Sequence, residues 1–255
     1  MRKLQILIAG CGDVGATLGI QLANLGHTVY GLRRNINQLP QSIHGIAADL
    51  CDSTTLQQLP AGIDTVVYCV AAGAREEQRY RAAYLEGLQN LQAALSRHAR
   101  LPRRLFFVSS TAVYHQSQHE WIDETSATEP DSFSGQIMLE AEQAALHHRI
   151  PGCVVRFSGI YGPGRHYLLH QVSAGNGYPH TPLQYSNRIH RDDCVGVLAH
   201  LIGRAEQQDI EPLYLASDCQ PTPLHEVTQW LAAQLGTPIT THSAVRQIGS
   251  KRCNN

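Results

Sequence analysis

The sequence predicts a doubly wound α/β fold, in which a parallel sheet carries helices on both faces. Three observations predict it. Short apolar runs rich in branched residues recur along the first 160 positions, amphipathic stretches of helical length lie between most of them, and a glycine-rich turn joins the first run to the first helix. Parallel neighbours need a crossover of about a dozen residues and usually take it as helix, so this alternation implies a parallel sheet.

The elements follow in order. Leu4-Gln5-Ile6-Leu7-Ile8-Ala9 is nearly continuous in apolar residues and ends at Gly10, the pattern of a strand covered on both faces. Val14 to Leu25 places Leu18, Leu22 and Leu25 on one helical face. Further strands are expected at Thr28 to Leu32, Ile46 to Ala48, Thr65 to Val70, Leu105 to Val108 and Cys153 to Phe157. Helices are expected over Glu77 to His98, Gly135 to His148, Asp192 to Arg204 and Leu224 to Leu235. A cluster of glycine and proline from Gly159 to Pro182 marks a change of texture, after which only short strands and two helices are expected.

Composition narrows the partners. Lys and Arg number 20 against 21 Asp and Glu, so no basic excess exists to hold a phosphate backbone or an anionic lipid, and neither nucleic acid nor membrane is expected. Cys11, Cys51, Cys69, Cys153, Cys194, Cys219 and Cys253 are scattered singly, which argues against a disulfide framework or a zinc site and for a reducing, cytoplasmic setting. The first apolar run is too short for a signal segment or a membrane span. His115/His119 and His166/His170 are spaced four apart but lack a third ligand, so no metal is expected.

Gly10-Cys11-Gly12-Asp13-Val14-Gly15 matches Gly-x-Gly-x-x-Gly between a strand and a helix, where the pattern carries a mechanism. Gly10 permits the tight turn, Gly12 lets backbone approach a pyrophosphate, and Gly15 lets the helix pack closely, while the helix N-terminus attracts phosphate. Residues 1–160 are therefore expected to form a Rossmann-type NAD(P)-binding domain, and residues 161–255 a small C-terminal substrate lobe interleaved with the last strands of the sheet. About 20 residues beyond the glycines, an acidic residue binds the ribose hydroxyls in NAD-preferring proteins. Here Arg33-Arg34 stands there, and a guanidinium suits a 2′-phosphate, so NADP(H) is expected ahead of NAD(H). Asp49-Leu50 is expected to flank the adenine, and Ala71-Ala72-Gly73 to let the cofactor pass close to backbone. Cys11 reads either as a small residue that fits the loop or as a thiol activated by the helix N-terminus.

The glycine motif, Asp49-Leu50, Gly87, Asn90, Ser109-Ser110-Thr111-Ala112-Val113-Tyr114, Arg156 to Gly164 and Ile189-His190-Arg191-Asp192-Asp193 occur in an order that resembles the extended short-chain dehydrogenase/reductase superfamily. This is the group of NAD-dependent epimerases and dehydratases acting on nucleotide sugars, and the chain looks most like its atypical branch with Gly-x-Gly-x-x-Gly. The resemblance implies cofactor contacts at Val70, Ala71, Ala72, Ser109, Phe157, Ser158 and Gly159, and substrate contacts at Thr111, Tyr114, Tyr161, Arg165, Arg188 and His190. It also implies pairing of two copies through the helices Glu77 to His98 and Gly135 to His148.

The same resemblance exposes a gap. Ser110 matches the family's hydroxyl after the fifth strand, but Ser134 stands at the place of the acid/base tyrosine and Met138 at the place of its lysine. A serine hydroxyl titrates far too high to exchange protons near neutrality, and methionine has no charge to depress a neighbour. Tyr114, His115, Tyr161 and His190 are the candidate substitutes near the nicotinamide end; His115 stands where the family usually has glycine, and imidazoles exchange protons near neutral pH, but most loop histidines are simply solvated or hydrogen bonded. The stretch from Pro163 to Asn187 is short for gripping a nucleotide sugar, and Ser186 replaces an arginine for which Arg165 or Arg188 is a substitute. Two functions are thus expected in competition: an enzyme on a small, polar, sugar-like substrate, or a non-catalytic NADP-binding sensor or regulator. The acidic stretch Glu120 to Glu129 reads as a solvated lid or loop.

Overall fold

The computed structural model describes residues 2–242 and 251–254. In chain order its strands are β1 (Gln5–Ala9), β2 (Thr28–Arg33), β3 (His44–Ala47), β4 (Thr65–Tyr68), β5 (Arg104–Ser110), β6 (Trp121–Ile122), β7 (Gly152–Phe157), β8 (Gly159–Tyr161), β9 (Asn176–Gly177), β10 (Tyr185–Ser186), β11 (Arg188–His190), β12 (Leu213–Ala216), β13 (Thr222–Pro223), β14 (Thr241–His242) and β15 (Arg252–Cys253). The helices are α1 (Asp13–Asn24), α2 (Glu77–Tyr80), α3 (Gly87–Leu95), α4 (Phe133–Leu146), α5 (Tyr167–Ser173), α6 (Arg191–Ala205) and α7 (Leu224–Leu235).

Seven strands form the central sheet in the order β12-β7-β5-β4-β1-β2-β3, each neighbour parallel. This is the doubly wound Rossmann-type α/β fold that the sequence predicts. The near-continuous apolar character of β1 has its reason in the two cores. Leu7 and Ala9 pack with Leu88, Leu91 and Ala141 on one face, whereas Ile6 and Ile8 pack with Leu18, Leu22 and Leu198 on the other. The order reverses between β1 and β4, and the crevice beyond the C-terminal ends of those strands is where such sheets bind ligands.

Several elements depart from expectation. The stretch predicted as one helix from Glu77 is interrupted by a π-helical segment, Arg81–Glu86, between α2 and α3. Its cause is packing: the buried Tyr68 hydroxyl donates to the Ala83 carbonyl, and Gly87 lies so close to that hydroxyl that a Cβ would sit 2.7 Å away. The seventh sheet strand, β12, carries no sequence signal that sets it apart from the other short strands after Pro182, because Leu213 and Tyr214 are only half-buried at an edge. Helix α5 falls within the glycine and proline cluster, where the sequence predicts no helix. Beyond residue 160 the chain returns α6 and β12 to the sheet, while β8 with β11, β9 with β14 and β10 with β13 form small two-stranded pieces. The acidic stretch is anchored rather than a free lid: β6 pairs with β15, and Glu124 accepts a hydrogen bond from Leu215 N at 2.8 Å. Among the described residues no helix is long and apolar enough to cross a membrane.

Candidate functional site

The glycine loop sits at the sheet reversal, and its three glycines have three different surroundings. Gly10 has φ +85°, and a Cβ there would lie 2.5 Å from the Cys69 carbonyl oxygen. A Cβ on Gly15 would meet Gly10 O at 2.7 Å and Ile8 Cγ2 at 3.0 Å, which brings α1 tight against β1. Gly12 is the exception: a Cβ there would meet nothing within 4 Å. No neighbouring element demands glycine at position 12, although its backbone, at φ −97° and ψ −135°, suits one. The N-terminus of α1 also has no side-chain cap, although Gly15 N is taken by the Cys69 sulfur. A second orphan lies at the end of β7, where Ser158 Oγ is buried and has no hydrogen-bond partner among the described residues. Both features fit a dinucleotide, which would fill the space and satisfy the hydroxyl.

Arg33 ends β2, donating to the Cys11 carbonyl at 3.4 Å and to Gln38 Oε1 at 3.0 Å, while Arg34 is exposed beside it. The guanidinium thus borders the glycine loop where the ribose of a bound adenosine would lie. Asp49 is occupied in its own turn, accepting from Cys51 N at 3.0 Å, and Leu50 is buried beneath it. Val70 and Ala72 are half-buried and Ala71 is exposed after β4. The Ala72 backbone is hydrogen bonded to Tyr84, whose hydroxyl burial pushes up to about 12. Cys11 is fully buried, and burial pushes its thiol up to about 11, so it is the small residue that fits and not an activated thiol.

At the C-terminal end of β5, Ser110 accepts a hydrogen bond from Ala112 N at 3.2 Å, capping the short turn Thr111–Val113. Gly135 brings α4 against that turn, since a Cβ there would meet Ala112 O at 2.5 Å. Ser134 is therefore delivered next to the serine loop, but it is buried and shares a hydrogen bond with Ser132 Oγ at 3.2 Å. Met138, one turn on, is buried in the core cluster that contains Val113 and Tyr114. Tyr80 packs on both Tyr84 and Phe133, an aromatic cluster beside this turn that no pattern in the sequence indicates. His115 lies just beyond the serine loop, with Nδ1 3.2 Å from Asp131 Oδ1.

The remaining expected substrate contacts divide. Tyr161 is exposed and stacks edge-on with His190, whose Nδ1 accepts from Asp192 N to cap α6. Arg188 lies in β11 alongside β8. Arg165 is placed elsewhere: it ion-pairs with Asp13 in the glycine loop at 3.0 Å. Tyr114 is buried in a polar network that the motif alone does not reveal. Its hydroxyl accepts from Arg156 Nη1 at 2.8 Å and donates to the Asp123 carbonyl at 2.8 Å. Arg156 in turn grips the buried Glu142 through two bonds of 2.9 and 2.6 Å, and Ser109 Oγ donates to the same carboxylate. Ser109, expected at the cofactor, thus points its hydroxyl into this network. Lys251, which no sequence pattern singles out, is buried on the other side and donates to the Tyr114 carbonyl at 2.6 Å. Among the described residues no three His, Cys, Asp or Glu side chains converge as metal ligands.

Burial leaves a signature in the pH dependence of folding. It pushes the thiols of Cys11 and Cys253 up to about 11 and those of Cys69, Cys153 and Cys194 up to about 12, from 9.0. The unfolded chain therefore releases these protons above pH 9 while the folded chain keeps them, so stability falls with rising pH. Lys251 opposes them: burial lowers it from 10.5 to about 8, and its penalty is relieved as pH rises between those values. Five groups outweigh one. The urea midpoint is expected to hold from pH 7 to 9 and then fall, with Lys251→Met making the fall steeper; a midpoint still level at about pH 10.5 would contradict this.

Comparison with known proteins agrees with the geometry. A family model described as the NAD dependent epimerase/dehydratase family matches residues 6–218. Among solved structures, a Methylobacillus flagellatus protein named as a candidate NAD-dependent epimerase/dehydratase is 36% identical, with a TM-score of 0.82 over 100% of this chain and 90% of that one. UDP-glucose 4-epimerase from Thermotoga maritima, solved with UDP-glucose, shares the fold at 16% identity and a TM-score of 0.81, covering 99% of this chain and 90% of that one. The dTDP-glucose 4,6-dehydratase of Bacillus anthracis, solved with NAD, does so at 15% identity and 0.79, covering 99% and 87%. No curated protein matches the chain.

Proposed function

The chain belongs to the NAD-dependent epimerase/dehydratase family, and on that premise we propose that it is an NADP(H)-binding enzyme acting on a small, polar, sugar-like substrate. The observation that carries the dinucleotide half is Gly12, a glycine with open space where a Cβ would stand, at the uncapped start of α1. When bound, the nicotinamide supplies a hydride acceptor or donor. The protein's own residues do the rest. Ser110, at the end of β5, donates a hydrogen bond to a substrate carbonyl or hydroxyl, and Thr111 with Tyr161 lines the same end of the sheet. His115 moves the proton: its Nδ1 is held by Asp131, which leaves Nε2 for the substrate. Ser134 and Met138 take no part, because one is buried against Ser132 and the other is core.

Arg33 and Arg34 underlie the preference for the 2′-phosphate. In a calorimetric titration of cofactor-free protein, NADPH and NADP are expected to bind more tightly than NADH and NAD. Arg33→Ala with Arg34→Ala is expected to weaken NADPH by more than about tenfold and leave NADH nearly unchanged. Equal losses for both would remove the 2′-phosphate role, and no binding by any of the four would remove the dinucleotide reading. One observation favours a second function, a non-catalytic sensor of the NADP redox state. The family's lysine position is filled by Met138, sealed into the core, so no charge reaches the tyrosine position. The sensor reading predicts tight cofactor binding with no proton or hydride transfer that depends on His115. Pairing of two copies through the outer faces of α2, α3 and α4 is part of the same proposal.

A further inference from the structure

Two arginines from the second half of the chain converge on one carboxylate of the glycine loop. Arg165 places both Nε and Nη2 3.0 Å from Asp13 Oδ2, and Arg191 Nη1 lies 3.3 Å from Asp13 Oδ1. Arg191 also holds Asp192 through bonds of 3.0 and 2.9 Å. Asp13 follows Gly12 directly and opens α1, so its carboxylate sits at a helix N-terminus, as a bound phosphate would. The two guanidiniums, by contrast, come from outside the nucleotide motif. Arg165 ends a turn in which Gly162 and Gly164 both have positive φ and Arg165 N donates to the Gly162 carbonyl at 3.1 Å. Arg191 opens α6.

We propose that Arg165 and Arg191 bind the diphosphate of the dinucleotide and that Asp13 holds both side chains in place until it arrives. The inference rests on the dinucleotide reading above and extends it to groups that the glycine motif does not contain. Three observations support it. The Arg165 charge reaches the thiols of Cys69, at the end of β4, and Cys194, on α6, lowering both against the larger effect of burial. Both cysteines belong to the core between the sheet and α6, Cys194 within that cluster and Cys69 packed against it, so the guanidinium sits beside the end of β4 as well as the glycine loop. Next, the pairs are partly solvent-exposed, with Asp13 at 39% and Arg165 at 38%, and such pairs contribute little to stability. A purely structural role would have little effect, whereas an exchangeable one needs weak pairs. Finally, a diphosphate offers more acceptor oxygens and more charge than one carboxylate, and planar guanidinium forks suit it.

The competition between Asp13 and the diphosphate gives the test its sign. Affinities for ADP-ribose and adenosine would be measured by calorimetry on the full chain and its variants. Arg165→Ala and Arg191→Ala are each expected to weaken ADP-ribose by about tenfold and leave adenosine unchanged. Asp13→Asn is expected to strengthen ADP-ribose by about fivefold, since it frees both arginines and removes a like charge. Unchanged ADP-ribose affinity in the arginine variants, or a parallel loss for adenosine, overturns the proposal. Should Arg165→Ala fail to fold, Arg165→Lys keeps the charge without the fork and is expected to weaken ADP-ribose alone, by a smaller factor; a parallel loss for adenosine again overturns it. Wild-type protein that binds adenosine but not ADP-ribose also overturns this inference, and wild-type protein that binds neither overturns the dinucleotide reading itself.

Discussion

Arg156→Met is expected to lower the unfolding free energy by about 3–5 kcal/mol, the cost of leaving a buried carboxylate without its partner. Glu142 is 1% exposed and Arg156 5%, so neither charge can turn to water when the other is removed. The pair is fully satisfied as it stands. Arg156 uses Nε and Nη2 on Glu142 and Nη1 on Tyr114, and Ser109 donates to the same carboxylate. Truncating either member strands the other and unties Ser109 and Tyr114, the residues that flank the Ser110 turn. Replacing both, as Glu142→Leu with Arg156→Met, removes the stranded charge and is expected to recover at least half of the loss. Urea denaturation of the two single variants and the double variant decides the matter. Single losses below about 1 kcal/mol would mean that the pair behaves as a surface ion pair.

The parts of this molecule that sequence reveals are those where one local rule suffices. The run from Leu4 to Ala9 announces β1 because both faces of a central parallel strand are covered, and the glycine spacing announces the loop because each glycine answers to a separate demand of turn, backbone or packing. Leu224–Leu235 likewise forms a helix whose ends match the periodicity, stopped by Gly236 at φ +64°. Where a position depends on a distant partner, the signal vanishes. Arg165 reads as a substrate contact from its motif, and only the fold brings it to Asp13, 152 residues earlier. Lys251 lies in a stretch with no periodicity, yet it is pinned beneath Tyr114, 137 residues away. The π-helical segment needs the hydroxyl of Tyr68, a residue whose own strand pattern carries no hint of it. β12 is silent in the sequence for a related reason: an edge strand of four residues with a half-exposed face looks like any short loop segment.

Gly10→Ala and Gly12→Ala are expected to fail in different ways, although the two glycines stand two positions apart in one motif. At Gly10 the backbone has φ +85° and the new Cβ would press on the Cys69 carbonyl at 2.5 Å and Val70 Cα at 2.7 Å. Neither contact is the flexible end of a side chain, so the loop must move, and a stability loss of about 2–4 kcal/mol is expected. At Gly12 the Cβ meets nothing, but φ −97° with ψ −135° lies outside the regions open to a residue with a Cβ, so a local backbone cost of about 1–3 kcal/mol is expected without any clash against the rest of the protein. The methyl group instead enters the space assigned to the pyrophosphate. A clash of one methyl against a ligand that cannot retreat from the helix N-terminus costs about 1–3 kcal/mol, which is about a tenfold to hundredfold loss of dinucleotide affinity. Thermal melts and a NADPH titration on both variants separate the two failures. If Gly12→Ala binds NADPH as the wild type does, the diphosphate does not cross the loop at that point, and the reading of the whole crevice as a dinucleotide site loses the observation that carries it.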